Sequence, residues 1–310
     1  MFNKNKNMFL SSIINVILLK IGIIGLGLMG SNLSLRLIRK GYQVNVNNRN
    51  ISKTLAIEKK GAEVLNTPKE LADSSDFIIT CVTNFEAVNR IYFSKNGVSE
   101  TTNKNVIVSD FSTVSPKESV YCYEKFKRTN ISMMSIPVMG GPNAALSGTL
   151  VPIVAGEESS FNKIKHILEE LGNPVFYIGT KAGSANAIKL ALNLNIGIIA
   201  MALSEGLLLS ERYQIDPNLY LKILNSTNFK TGMSENKGPK MIKDDYSPSF
   251  YLKNMNKDLA LIMEAAKEQE LSLPITGLVF QLYNYAAKST FADLDYTVIY
   301  KFLRKLHSLE

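Results

Sequence analysis

Short apolar runs separated by glycine and polar turns fill the first half of the chain, at 21–24, 43–46, 77–82, 106–110, 131–135, 150–155 and 175–178. Between them, apolar residues recur at helical spacing, as in Leu33, Leu35, Leu37 and Ile38. Compact apolar runs alternating with helical stripes predict a mostly parallel sheet covered by helices on both faces. Beyond Ser184 the pattern changes. The stretch 185–213 carries Ile188, Leu190, Leu192, Leu194, Ile196, Ile198 and Ile199 with no strand punctuation, and reads as a buried helix. Helical patterns resume around 216–217, 271–285 and 296–306, so the second half predicts an all-α domain. The expected organisation is an N-terminal extension at 1–19, an α/β domain at 20–180 and an all-helical domain at 181–310.

The first strand runs into Gly25-Leu26-Gly27-Leu28-Met29-Gly30, and a helical stripe follows it. A glycine turn between strand and helix leaves backbone N–H groups at a helix N-terminus, where the helix dipole favours a pyrophosphate. This context predicts a Rossmann-type doubly wound sheet with a dinucleotide on its glycine loop. The second strand leads to Asn47, Asn48 and Arg49, where an NAD-specific site places a carboxylate for the ribose hydroxyls. A guanidinium grips a 2′-phosphate bidentately, and Lys53 one helical turn on adds positive charge. NADP(H) is the expected cofactor, with NAD(H) as the alternative.

A chain of 310 residues accommodates two domains with real cores. Its formal charge of +8 is scattered, and basic stretches interleave with acids, as in Lys240, Lys243, Asp244 and Asp245. That distribution argues against a nucleic-acid groove or a membrane-binding patch, and favours a basic surface that attracts small anions. Cys81 and Cys122 lie far apart with no His/Cys cluster, which predicts neither a metal site nor a disulfide framework and fits a reducing, cytoplasmic setting. His166 and His307 read as surface residues. Near the N-terminus, Lys4 and Lys6 precede an apolar run at 9–19 that resembles a signal peptide. No small-residue cleavage site follows, and Lys20 leads directly into the first strand. The segment reads as an untidy extension, with an organellar leader as the alternative.

Further chemistry is expected at loops that follow strands. Ser112 and Thr113 close the fourth strand candidate, where hydroxyls serve either a ligand or the cap of the helix starting near Pro116. Met139, Gly140 and Gly141 follow Pro137-Val138; paired glycines there form either a plain turn or a cradle of N–H groups for an anion. Lys189 and Asn193, one turn apart on the long helix, share a face. An amine in that apolar setting either snorkels to water or faces a crevice as a proton donor to a carbonyl oxygen. Lys257 and Asp258, read alone, are a charged helix surface.

These pieces together resemble the β-hydroxyacid dehydrogenase family, which includes 3-hydroxyisobutyrate dehydrogenase and the glyoxylate/succinic semialdehyde reductases. The matching elements are I-G-x-I-G-L-G-x-M-G from Ile21, N-R-x-x-x-K from Asn48, D-x-S-T-x-x-P from Asp110, and P-V-x-G-G from Pro137. They continue with G-x-x-x-x-x-K-x-x-x-N from Gly183 and F-x-L-x-x-x-x-K-D-L from Phe250. Lys237-Gly-Pro-Lys-Met241, followed by Tyr246-Ser-Pro-Ser-Phe250, is closest to the reductase branch.

The resemblance implies an NADPH-dependent reductase of short anionic aldehyde acids. Its alternatives are a 3-hydroxyisobutyrate-type dehydrogenase working oxidatively and a non-catalytic dinucleotide-binding redox sensor. It implies Lys189 as the acid–base residue and Asn193 as its partner in positioning substrate. Val82, Thr83, Thr113 and Lys257 would line the cofactor, and Ser112, Gly140 and Gly141 would hold the substrate carboxylate. Met139 departs from the family's serine, leaving the glycine amides to hold that carboxylate without a hydroxyl. The resemblance also implies a homodimer or homotetramer paired through the helical domain.

Overall fold

A computed structural model describes residues 19–309, and the chain divides into two compact units between Lys189 and Leu190. The N-terminal apolar run up to residue 18 lies outside the described residues.

The first unit opens with six strands: β1 (Lys20–Ile24), β2 (Gln43–Asn47), β3 (Glu63–Val64), β4 (Phe77–Thr80), β5 (Ile107–Asp110) and β6 (Ser132–Ser135). They form one parallel sheet in the order β3-β2-β1-β4-β5-β6. The crossovers carry helices α1 (Leu28–Arg39), α2 (Ser52–Glu58), α3 (Pro68–Asp73), α4 (Phe85–Phe93) and α5 (Pro116–Lys127). Successive strand residues point to opposite faces. Ile21, Ile23, Phe77 and Ile79 pack with Leu33 and Leu37 of α1 on one side. On the other, Ile24, Ile78 and Val108 pack with Leu71, Val88, Tyr92 and Phe126. Burial on both faces explains why these strands read as apolar runs.

The later strand candidates do not extend that sheet. β7 (Val138–Met139), β8 (Val151–Val154) and β9 (Phe176–Tyr177) form a separate three-stranded sheet, with α6 (Pro142–Ser147) and α7 (Glu158–Leu171) between them. β7 runs antiparallel to β8, whereas β8 and β9 are parallel. A parallel neighbour needs a long crossover, but only Ile136 and Pro137 separate β6 from β7, so the chain starts a new sheet. In α7, His166 is half-buried and burial pushes its pKa down, so it is not the surface histidine expected. His307 is exposed.

Helix α8 (Ser184–Arg212) crosses the division, and α9 (Pro217–Asn225), α10 (Gly232–Asn236), α11 (Gly238–Ile242), α12 (Leu252–Glu268), α13 (Pro274–Ala287) and α14 (Ile299–Leu306) complete the second unit. By length and composition alone α8 could cross a membrane. In the second unit Leu190, Ala200, Leu203 and Leu207 of α8 belong to a core with Met255, Leu259, Tyr283 and Tyr300. Burial is incomplete, which corrects the expected buried helix. Ile188 and Leu192, one turn apart, are 40% and 36% exposed, because the helix is apolar all round and its neighbours cover only part of it.

The stretches at 237–241 and 246–250 meet at a buried carboxylate. Lys237 Nζ donates to Asp295 Oδ2 at 2.7 Å and to Ser249 Oγ at 2.8 Å, and the Ser249 amide donates to the same carboxylate oxygen. Burial works against the charge on Asp295, yet the ammonium and the amide donors hold its carboxyl below the usual range. In this structure those stretches form a clamp inside the helical unit.

Candidate active site

The glycine loop follows β1, beside the point where the strand order reverses from β1 to β4. Gly25 has φ +98°, and its amide donates to the Asn47 carbonyl at 3.0 Å. A Cβ on Gly30 would lie 1.9 Å from the Gly25 carbonyl oxygen, so α1 starts as close to the strand as backbone allows. Gly27 is different: a Cβ there meets nothing within 4 Å. It caps α1 with no side-chain acceptor, and no acidic residue occupies the first turn. The helix start therefore presents uncapped N–H groups to open space, which fits a pyrophosphate. Leu26 is buried beneath the loop, Leu28 is exposed and Met29 is half-buried.

Asn48 shapes this loop. Its Oδ1 accepts from the Leu26 amide at 2.9 Å and its Nδ2 donates to the Asn50 carbonyl at 2.8 Å. Arg49 and Lys53 are exposed, at the same edge of the sheet, because Ile24 at the end of β1 pairs with Asn47 at the end of β2.

The ends of β4 and β5 are laced together. The Val82 amide donates to Ser112 Oγ at 3.0 Å, and the Ser112 amide donates to Asp110 Oδ1 at 2.9 Å. Ser112 is 1% exposed, so in this structure its hydroxyl braces the loop, a different task from the carboxylate contact that the resemblance implies. Thr83 is exposed and Thr113 half-buried. The capping alternative falls to a neighbour: Ser115 caps α5 in a reciprocal box with Glu118, and Pro116 opens the helix. Burial, reinforced by the Asp110 charge, pushes the Cys81 thiol up to about 12, which removes it as a nucleophile at this edge.

Lys189 is half-buried. Its Nζ donates to the Val138 carbonyl at 2.8 Å and lies 3.3 Å from Met139 Sδ. Gly140 has φ +113° and is exposed. Gly141 caps α6 with no side-chain acceptor, and a Cβ there meets nothing within 4 Å. The first unit thus brings an amine that donates to the Val138 carbonyl to the strand that leads into the glycine pair. Asn186, one turn before Lys189 and 1% exposed, donates to the Val114 carbonyl at 3.4 Å and so joins α8 to the loop after β5.

In the second unit Asn193 is 2% exposed and its Nδ2 donates to Asp258 Oδ2 at 2.7 Å. The other oxygen of Asp258 lies 2.8 Å from Lys257 Nζ. Asp258, itself 1% exposed, is the residue the sequence reading passed over as charged surface. A signal was present: Leu252, Met255, Leu259, Ile262 and Ala266 mark the buried face of α12, and position 258 falls on it.

The family model for the NAD binding domain of 6-phosphogluconate dehydrogenase matches residues 20–179. The model for the NAD-binding of NADP-dependent 3-hydroxyisobutyrate dehydrogenase matches residues 183–303. The chloroplastic glyoxylate/succinic semialdehyde reductase 2 of Arabidopsis thaliana is 30% identical over 94% of this chain and 81% of its own length. A probable mitochondrial 3-hydroxyisobutyrate dehydrogenase of Dictyostelium discoideum is 30% identical over 92% of this chain and 91% of its own. Among solved structures, a 3-hydroxyisobutyrate dehydrogenase from Salmonella typhimurium superposes with a TM-score of 0.82 at 23% identity, covering 92% of this chain and 99% of that one.

Proposed function

Because the chain belongs to the β-hydroxyacid dehydrogenase family of NAD(P)-dependent oxidoreductases, we propose that it reduces short aldehyde acids, glyoxylate or succinic semialdehyde, with NADPH. The observation that carries this reading is the Lys189 ammonium, held 2.8 Å from the Val138 carbonyl on the strand that leads into Gly140 and Gly141.

When bound, the nicotinamide supplies hydride to the substrate's carbonyl carbon. Lys189 Nζ gives its proton to the carbonyl oxygen, so the C=O becomes CH–OH and the amine is left neutral for reprotonation from water. Val138 offers only a carbonyl acceptor, which directs the ammonium and cannot take that proton itself. The amides of Gly140 and Gly141 hold the substrate carboxylate. Asn193, fixed by Asp258, is the residue to which the resemblance gives the positioning of substrate.

The open, uncapped start of α1 at Gly27 receives the pyrophosphate, flanked by Leu26, Leu28 and Met29. Val82, Thr83 and Thr113 line the cofactor. Arg49 and Lys53 take the 2′-phosphate, and no carboxylate stands at the end of β2 to repel it. The exposed Ile188 and Leu192 of α8 support a homo-oligomer paired through helical surfaces.

A turnover screen tests the reading, with glyoxylate and succinic semialdehyde against NADPH and NADH, and 3-hydroxyisobutyrate against the oxidised cofactors. Faster turnover of the aldehyde acids with NADPH is the expected result. Oxidation of 3-hydroxyisobutyrate alone would move the chain to the dehydrogenase branch, and tight NADPH binding without turnover of any acid would make it a redox-sensing binder.

A further inference from the structure

We propose that Met139 is a positioning residue for Lys189: its thioether, with the carbonyl of the preceding residue, fixes where the ammonium points. The proposal rests on the reading of Lys189 as the proton donor.

Two consecutive residues of β7 accept from the ammonium, Val138 through its main-chain oxygen at 2.8 Å and Met139 through Sδ at 3.3 Å. The Met139 side chain is itself anchored, packed against the small cluster of Ile153, Ala155 and Ala185. Ala185 belongs to the first turn of the helix that bears Lys189, so the contacts of Met139 span both the sheet and that helix. A methionine with three rotatable bonds ordinarily fills gaps. Here its sulfur also meets an ammonium.

The chemistry of the pair suits a proton donor. A thioether accepts a hydrogen bond weakly and has no proton of its own to exchange at neutral pH. It restricts the amine without trapping the proton, as a carboxylate would. The position where the family places a serine for the substrate is therefore turned to the amine in this chain, and the substrate carboxylate depends on the amides of Gly140 and Gly141.

The test compares Met139→Leu, which keeps the bulk and loses the acceptor, with Met139→Gln, which restores an acceptor at similar length. Met139→Leu should lower kcat about 3- to 10-fold, the effect of one weak hydrogen bond. KM for the aldehyde acid and the Kd for NADPH should stay within about twofold, because the lost contact touches neither ligand. Met139→Gln should recover kcat to within about threefold of wild type.

A second measurement needs no turnover: acylation of Lys189 in the cofactor-free protein at fixed pH, followed by peptide mass spectrometry. Loss of the acceptor destabilises the ammonium, so Met139→Leu should label about 3- to 10-fold faster than wild type. Wild-type kcat and labelling rate in Met139→Leu would overturn the proposal while leaving the assigned activity intact. Equal losses of kcat in the Leu and Gln variants with unchanged labelling would overturn it too, since Met139 would then act through packing alone. If no aldehyde acid turns over even in the wild type, the assigned activity fails, and faster labelling of Met139→Leu still supports the contact.

Discussion

Gly27 and Gly30 lie in one loop, yet alanine at each should fail for a different reason. At Gly27 the backbone angles, φ −79° and ψ −166°, suit an alanine, and the new methyl meets no protein atom within 4 Å. Restricting the unfolded chain stabilises by about 0.4–1 kcal/mol, and alanine is a poorer helix cap than glycine by a similar amount. Stability of Gly27→Ala should therefore stay within about 1 kcal/mol of wild type. The methyl occupies the approach to the helix start, where loss of one charge-assisted hydrogen bond costs about 1.5–3 kcal/mol. NADPH affinity should fall about 10- to 150-fold.

At Gly30 the methyl would sit 1.9 Å from the Gly25 carbonyl oxygen, and α1 must withdraw by about 1 Å before the contact is tolerable. Overpacking of that kind costs about 1–3 kcal/mol, or a Tm about 3–10 °C lower for a unit of this size. Cofactor affinity should fall with it, because the N–H groups move. Thermal unfolding and a fluorescence titration with NADPH separate the two variants. A Gly27→Ala protein that binds NADPH as wild type does, or that melts as early as Gly30→Ala, would refute the phosphate cradle.

Three other variants probe the rest of the site. Arg49→Ala should weaken NADPH binding roughly 5- to 100-fold and leave NADH nearly unchanged in parallel titrations; equal losses for both would remove Arg49 from phosphate recognition. Asp258→Ala leaves the Asn193 amide and Lys257 without their shared carboxylate, so unfolding should be easier by about 2 kcal/mol, with Asp258→Asn recovering most of it; an unchanged melting curve would count against a structural role for that carboxylate. Lys237→Met should cost about 3 kcal/mol at neutral pH by stripping Asp295 of its counter-ion. The Asp295 carboxyl titrates below its ordinary value in the folded state, so the wild-type clamp contributes fully above about pH 4 and fades as pH falls toward the folded value. Chemical denaturation at neutral and acidic pH should show the two proteins converging on acidification, and a gap that widens would contradict the assignment.

The strands of the nucleotide fold were legible because burial on both faces makes them apolar runs, and the glycine loop because its chemistry is local. β3 and β7, two residues each, were not. The second sheet depends on pairing between β8 and residues 12 or more positions away, which no local pattern records. At the site, Lys189 was found by its conflict with an apolar helix, but its seat on Val138 and Met139 is a tertiary contact. Asp258 was missed because its neighbour Lys257 made the pair look like surface, although the stripe on α12 points position 258 inward.

The role of Lys189 as proton donor in carbonyl reduction is tested by single-turnover and steady-state oxidation of NADPH by Lys189→Ala with glyoxylate and succinic semialdehyde. A proton donor's loss should lower kcat by about 10²- to 10⁴-fold with the Kd for NADPH unchanged. A variant that turns over either acid at near wild-type rate would contradict it.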